Sequence, residues 1–185
     1  MYSNIEEMNA LIKNCIKCNL SLKRKNAVCG SGSKNPKIMI IGEAPGKTED
    51  ENGIPFSGRS GALLRKVMEE AGIDSKDVYI TNTVRCRPHN NQKPKKTNLI
   101  ACNGYLKFEV EFLKPNIIVP LGNTSLKAFS YISGTRFEPI TKAIGQEIPW
   151  NQVIIIPQFH PAAILRDMKR LTVFEDVFKK IANRS

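Results

Sequence analysis

Lys37-Ile38-Met39-Ile40-Ile41-Gly42-Glu43-Ala44-Pro45-Gly46 is a short unbroken apolar run that ends in a loop of glycines and an acid. Three further runs resemble it: Val78-Tyr79-Ile80-Thr81, Asn116-Ile117-Ile118-Val119-Pro120-Leu121 and Val153-Ile154-Ile155-Ile156. Unbroken runs rich in β-branched residues are expected of strands covered on both faces, as in a parallel sheet. Helical stripes separate them. Leu63, Leu64, Val67, Met68 and Ala71 share one face and stop at Gly72, and Leu99, Cys102, Leu106, Val110 and Leu113 share another, with Pro115 beyond. A shorter helix is predicted over 124–132, a first helix over 4–14, and a long C-terminal segment from Ile164 to Ile181 with a break near Arg170. The alternation predicts an α/β chain: a three-layer α/β/α fold around a central four-stranded parallel sheet, in one domain over 1–185. No internal repeat, linker or low-complexity tract interrupts it.

A chain of 185 residues buries a core without disulfides. No apolar run approaches the roughly 20 residues that cross a bilayer. The start, Met-Tyr-Ser-Asn-Ile-Glu-Glu, has no basic region followed by a hydrophobic stretch, so the reading is a cytoplasmic protein with no membrane partner. In that reducing compartment a cysteine set is more often a metal site than a set of disulfides. The formal net charge of +11 raises the expectation of a polyanionic partner, nucleic acid ahead of membrane. The plain alternative is solubility. Lysines cluster in Lys23-Arg24-Lys25 and in Lys93-Pro94-Lys95-Lys96, and the second run closely follows a cysteine, which favours function.

Four of the five cysteines form a ligand-like set: Cys15 and Cys18, two residues apart, then Cys86 and Cys102. Four thiolates suit an iron–sulfur cluster or a structural zinc, and either would pin the N-terminus onto the body of the fold. Cys29 lies outside the spacing and reads as a small packed residue. Cys86 closes Thr81-Asn82-Thr83-Val84-Arg85-Cys86-Arg87-Pro88, at the end of the second strand, where open α/β sheets keep their ligands.

Each strand leads into an unusual loop, and all four loops are expected on one edge of the sheet. Gly42 through Asp50 combines close backbone approach with acids able to act on water, yet it has neither the Walker A nor the dinucleotide spacing. Gly53-Ile54-Pro55-Phe56-Ser57-Gly58 sets one aromatic in a flexible loop, where core packing is the commoner role. Asn82, at a strand tip, has the acceptor and donors to read a base edge, though an isolated asparagine there is usually a turn or cap. His160 precedes Pro161, which can open a helix at its first position. A lone histidine is usually structural, but one sharing a sheet edge with Glu43, Phe56 and Asn82 is less easily dismissed.

Taken together, Gly42-Glu43-Ala44-Pro45-Gly46 with Glu49-Asp50, Pro55-Phe56-Ser57-Gly58, Thr81-Asn82 leading to Cys86-Arg87-Pro88, the four cysteines in order, and His160-Pro161 with Leu165-Arg166 resemble the family 4 (iron–sulfur) uracil-DNA glycosylases, from about Ile12 to Lys180. The resemblance implies a monofunctional repair enzyme that removes uracil and leaves an abasic site, acting as a monomer on uracil-containing DNA, single- or double-stranded. It implies a structural [4Fe–4S] cluster on Cys15, Cys18, Cys86 and Cys102. It also implies that Phe56 stacks on the flipped base, that Asn82 reads its edge beside Gly42, and that His160 faces uracil O2. Catalysis falls to His160 and to an acid that positions water, Glu43 ahead of Glu49. Two positions depart from the best-known uracil glycosylases: Ala44 replaces an aspartate and Gly46 a tyrosine. His89 stands where a second proline is common, and the basic insert of a covalently trapped branch is missing.

For DNA contact, Arg85, Arg87, Lys93, Lys95, Lys96 and Arg166 are candidates for phosphates, and Ile164 or Leu165 for the wedge that enters the base stack. Two other readings compete. One is a non-catalytic iron–sulfur nucleic-acid-binding module of the same fold, for instance one associated with a phage-type DNA polymerase. The other is a zinc-stabilised nucleotide-binding protein, which the lack of a phosphate loop disfavours.

Overall fold

A computed structural model describes residues 2–185. The sheet strands are β1 (Ser31–Gly32), β2 (Ile38–Gly42), β3 (Val78–Asn82), β4 (Ile117–Pro120), β5 (Ile148–Trp150) and β6 (Val153–Ile155). The helices are α1 (Ile5–Lys13), α2 (Lys47–Asn52), α3 (Arg59–Glu70), α4 (Lys96–Leu113), α5 (Gly122–Ser133), α6 (Ile140–Ala143), α7 (Pro161–Arg166) and α8 (Leu171–Ala182).

The strands run in the order β1-β3-β2-β4-β6-β5. At the centre β3, β2, β4 and β6 pair in parallel, with Gly42 opposite Asn82 and Ile41 opposite Pro120. The expectation of a four-stranded parallel sheet needs correction, because the sheet is six-stranded and mixed. β1 and β5 pair antiparallel at its two edges. Neither announced itself. β1 is Ser-Gly with both residues exposed, and β5 contains Pro149, which removes a donor and is tolerated at an edge.

Alternate residues of the central strands face opposite layers. Met39, Ile41, Tyr79, Ile118 and Ile155 join the side chains of α1, α4 and α5 in one core. Ile38, Ile40, Val78, Ile117 and Val119 join α3, α7 and α8 in the other. This two-sided burial is why the strands lack a polar alternation. α5 starts earlier than predicted because Gly122, at φ +80°, turns the chain directly from β4 into the helix. The C-terminal break is real: a 3-10 turn at Met168–Arg170 separates α7 from α8. α2 and α6 were not expected. The first, Lys-Thr-Glu-Asp-Glu-Asn, has no apolar stripe to signal it. Among the described residues no helix is long and apolar enough to cross a membrane.

Candidate active site

The carboxyl ends of the parallel strands open on a cleft of about 630 Å³, within the range of ligand pockets. Glu43, Phe56, Asn82 and His160 all line it, although they come from four separate segments. Parallel register delivers two of them: Gly42 and Asn82 are paired residues on β2 and β3, so the Glu43 loop and the Asn82 amide start side by side.

Asn82 is only 2% exposed, and among the described residues its Oδ1 has no hydrogen-bond partner. A buried acceptor left unpaired costs on the order of 1–3 kcal/mol, which a fold tolerates where a ligand will supply the donor. Gly42 makes room for it. A Cβ there would lie 2.4 Å from Asn82 Oδ1 and 2.5 Å from the Phe56 ring, so any side chain would push both out of the cleft floor.

Phe56 is buried, with φ at +53°, a conformation that bulky residues rarely adopt. Several contacts hold it there. Its carbonyl accepts from the Arg65 guanidinium (2.8 Å) and rests against the α-carbon of Gly61, where a Cβ would collide with it. Glu49 closes the same loop, since its two carboxylate oxygens accept from the amides of Gly46 (3.0 Å) and Gly58 (2.7 Å). Both oxygens of Glu49 are thus engaged in shaping the loop. Asp50 is likewise engaged, accepting from the amides of Lys25 and Asn26. The carboxylate of Glu43 is half-buried at the cleft and takes part in no hydrogen bond among the described residues. Its backbone is fixed instead: the Glu43 carbonyl accepts from the Thr83 hydroxyl at 2.5 Å, a contact no sequence signal foretold.

His160 is the N-cap of α7, and its Nδ1 accepts from the Ala162 amide (3.2 Å). A neutral ring bonded in this way carries its proton on Nε2. Burial, and then the nearby charge of Arg166, hold its pKa down at about 4, so the ring is neutral at physiological pH. The Phe56 and His160 rings lie 5.9 Å apart at 31°. The lowered pKa also shapes stability. The folded state resists a proton that the unfolded chain accepts near 6.5, so the neutral ring's contribution is full above that pH and is lost as pH falls through about 4. His160→Asn keeps a cap acceptor and removes the titration. Between pH 6.5 and 4 the melting temperature of the wild type is expected to fall more steeply than that of this variant. Parallel curves would contradict it.

The basic candidates divide. Arg166 and the 38%-exposed Leu165 line the cleft rim. Ile164 is fully buried and belongs to the core, so it is not a wedge. Arg85 is not a phosphate contact. It is 1% exposed and ion-paired with the fully buried Glu109 (2.6 Å), which also accepts from Tyr79 (3.0 Å) and Thr81. Arg87 donates to Asn91 Oδ1 (2.7 Å) in the neighbouring loop. Lys95 and Lys96 are exposed at the start of α4, and Lys93 faces a different groove. Lys47 and Arg59, at the starts of α2 and α3, line the cleft but were not singled out in the sequence. Their signal was their place just after the glycines Gly46 and Gly58.

Away from the cleft, Cys15, Cys18, Cys86 and Cys102 line one small cavity, while Cys29 packs elsewhere in the core. Several contacts bring the N-terminal pair to the other two. Asn98 on α4 donates to Asn19 (2.7 Å), and Arg24 donates both to Cys86 Sγ (2.9 Å) and to the Lys13 carbonyl (2.9 Å). Burial pushes the Cys86 thiol up and the Cys102 thiol to about 12. Among the described residues, no three donors converge as a single bound ion would require.

The sequence profile of the "Uracil DNA glycosylase superfamily" matches residues 29–182. The "Type-4 uracil-DNA glycosylase" of Thermotoga maritima is 40% identical over 186 residues, covering 97% of this chain and 95% of that protein. The protein of the same name from Sulfurisphaera tokodaii is 39% identical over 183 residues, covering 96% of this chain and 83% of its own length. A "DNA polymerase" of Bacillus phage SP01 is 32% identical over 152 residues, covering 82% of this chain but only 16% of that protein. A profile match over most of the chain and full-length relatives at this identity agree with the cleft built at the strand ends, and the chain belongs to the type-4 uracil-DNA glycosylases of the uracil DNA glycosylase superfamily.

Proposed function

We propose that the protein is a monofunctional DNA-repair glycosylase that takes uracil out of the helix, hydrolyses its N-glycosidic bond and leaves an abasic site. The observation that carries this reading is the unpaired, buried Oδ1 of Asn82 beside the Phe56 ring on the cleft floor. A glycosidic bond is out of reach inside the stack, so the base must be flipped, at a cost of a few kcal/mol. Phe56 offers it an apolar face. The Asn82 amide accepts from uracil N3–H and donates to O4. Cytosine presents the reverse pattern and would leave the amide mismatched.

Bond cleavage builds positive charge on the sugar and negative charge on the departing uracil. His160, neutral with its proton on Nε2, donates from that nitrogen to O2. Such a donor commonly contributes about 10²–10³ in rate. Glu43 is the acid free to position water and to face the sugar's developing charge, while Glu49 keeps the loop closed. Arg166, Lys47 and Arg59 contact phosphates near the flipped nucleotide, and Leu165 fills the gap left in the stack.

The four cysteines, which line one cavity, would be the ligands of a [4Fe–4S] cluster. Bound there, the cluster would supply structural cross-linking of the N-terminus to the loop after β3 and to α4. Arg24 and Arg85 stand beside it as counter-charges for the thiolates. Cys86→Ser is expected to lower iron and sulfide content and melting temperature together, and iron content equal to wild type would remove Cys86 from the ligand set. The five free cysteines suit a reducing cytoplasm, where we place the enzyme as a monomer.

The non-catalytic module is the second reading, favoured by the phage polymerase segment alone. It does not require Glu43, Asn82 and His160 to meet in one cleft. A labelled single strand with one uracil, incubated with the protein and then treated with hot alkali, is expected to break at uracil only, with thymine and cytosine controls intact. No scission by protein with full iron content would favour the module.

A further inference from the structure

A second groove, of about 660 Å³, begins beside the cleft and runs along α5. Two features join it to the first. The loop after β3 forms their common wall, with Asn91 and Gln92 facing the cleft and Lys93 facing the groove. On the other side, groove-lining Asn123 follows Gly122, which is in van der Waals contact with His160, a Cβ there lying 3.5 Å from the histidine's own.

The charge of the groove is one-sided. Lys93, Lys127 and Arg136 line it, with Glu138 the one acid in the lining, and among the described residues none of the three cations has a carboxylate within ion-pair reach. Unpaired cations lining a groove, with a half-buried aromatic, Phe137, in its wall, are the elements of a single-strand site: phosphates track the charge and bases find a face on which to stack. Its walls are α5, the loop after β3 and the 134–139 loop.

We propose that this groove holds the unpaired stretch of the DNA strand adjoining the flipped nucleotide, with Lys93, Lys127 and Arg136 on its phosphates. The proposal rests on the glycosylase reading for what occupies the cleft next door. It gives Lys93, from the basic run that follows Cys86, a contact outside the cleft.

The test compares wild type with the triple variant Lys93→Gln, Lys127→Gln, Arg136→Gln on single-stranded uracil oligonucleotides of increasing length. Binding is read by fluorescence anisotropy over a salt series, and KM by excision. Each phosphate contact on a single strand contributes about 0.7 to the slope of log K against log salt, so losing three should lower the slope by about 2. On long strands KM should rise about tenfold or more, and the penalty should vanish on strands too short to reach the groove. Equal slopes at every length would overturn the proposal and leave the groove to an acidic protein surface. The slope needs no chemistry. Failure of wild type to excise at any length would count against the glycosylase reading, while the slope would still decide the groove.

Discussion

Asn82→Ala is expected to lower kcat/KM for uracil excision by about a thousandfold and to leave the melting temperature unchanged or slightly raised. The two halves of this expectation have one cause. Asn82 Oδ1 is buried without a partner, so in the free protein the side chain brings an unmet desolvation cost and no compensating bond. Its return comes only when uracil fills the cleft. Removing it therefore costs the complex and spares the fold. Excision on a uracil oligonucleotide under single-turnover conditions, alongside thermal denaturation, measures both. A variant that loses activity and stability together would show Asn82 to be a structural residue.

Glu109→Gln should act in the opposite sense, lowering stability by about 3–5 kcal/mol. For a chain of 185 residues at about 2–4 °C per kcal/mol, that is a fall of roughly 6–20 °C in Tm. The change is isosteric, yet it strands the Arg85 guanidinium in the interior with a neutral amide in place of its counter-ion. Tyr79 and Thr81, which also donate to Glu109, lose strength in the same step. The pair also links the two sites of the molecule. Arg85 lies between Asn82 and the cysteine cavity on one buried stretch of chain, and Glu109 sits on the helix that carries Cys102. Replacing both partners with apolar residues, as in Arg85→Met with Glu109→Leu, should recover part of the lost stability, because no charge is left unpaired. If the single variant melts within 2 °C of wild type, the pair is not what holds this stretch.

Phosphate-seeking basic residues illustrate where sequence reading stops. Arg85 and Arg87 alternate on one short segment, and nothing in their spacing tells which side of the chain faces the core. The structure buries the first against Glu109, twenty-four positions away, and leaves the second half-exposed. Ile164 and Leu165 pose the same problem on a helix, where one residue of rotation separates core from cleft rim. Glu49 differs again. Its contact with the Gly46 amide is a local helix cap, but it meets the Gly58 amide, nine residues on, only because the loop folds back on itself.

The layered architecture, the four central strands, the edge of the sheet that holds the cleft and the family were all legible along the chain. Burial on both faces leaves an unbroken apolar run, and turns and helix ends require particular residues, so these features are written locally. Packing of distant segments fixed the rest: that the sheet is six strands wide, that Arg85 is a core cation, that Glu49 is tied up in its loop while Glu43 is not, and that Arg166 and Lys93 line different grooves. Each of these depends on which distant group fills the space beside a side chain, and that is set only when the layers pack.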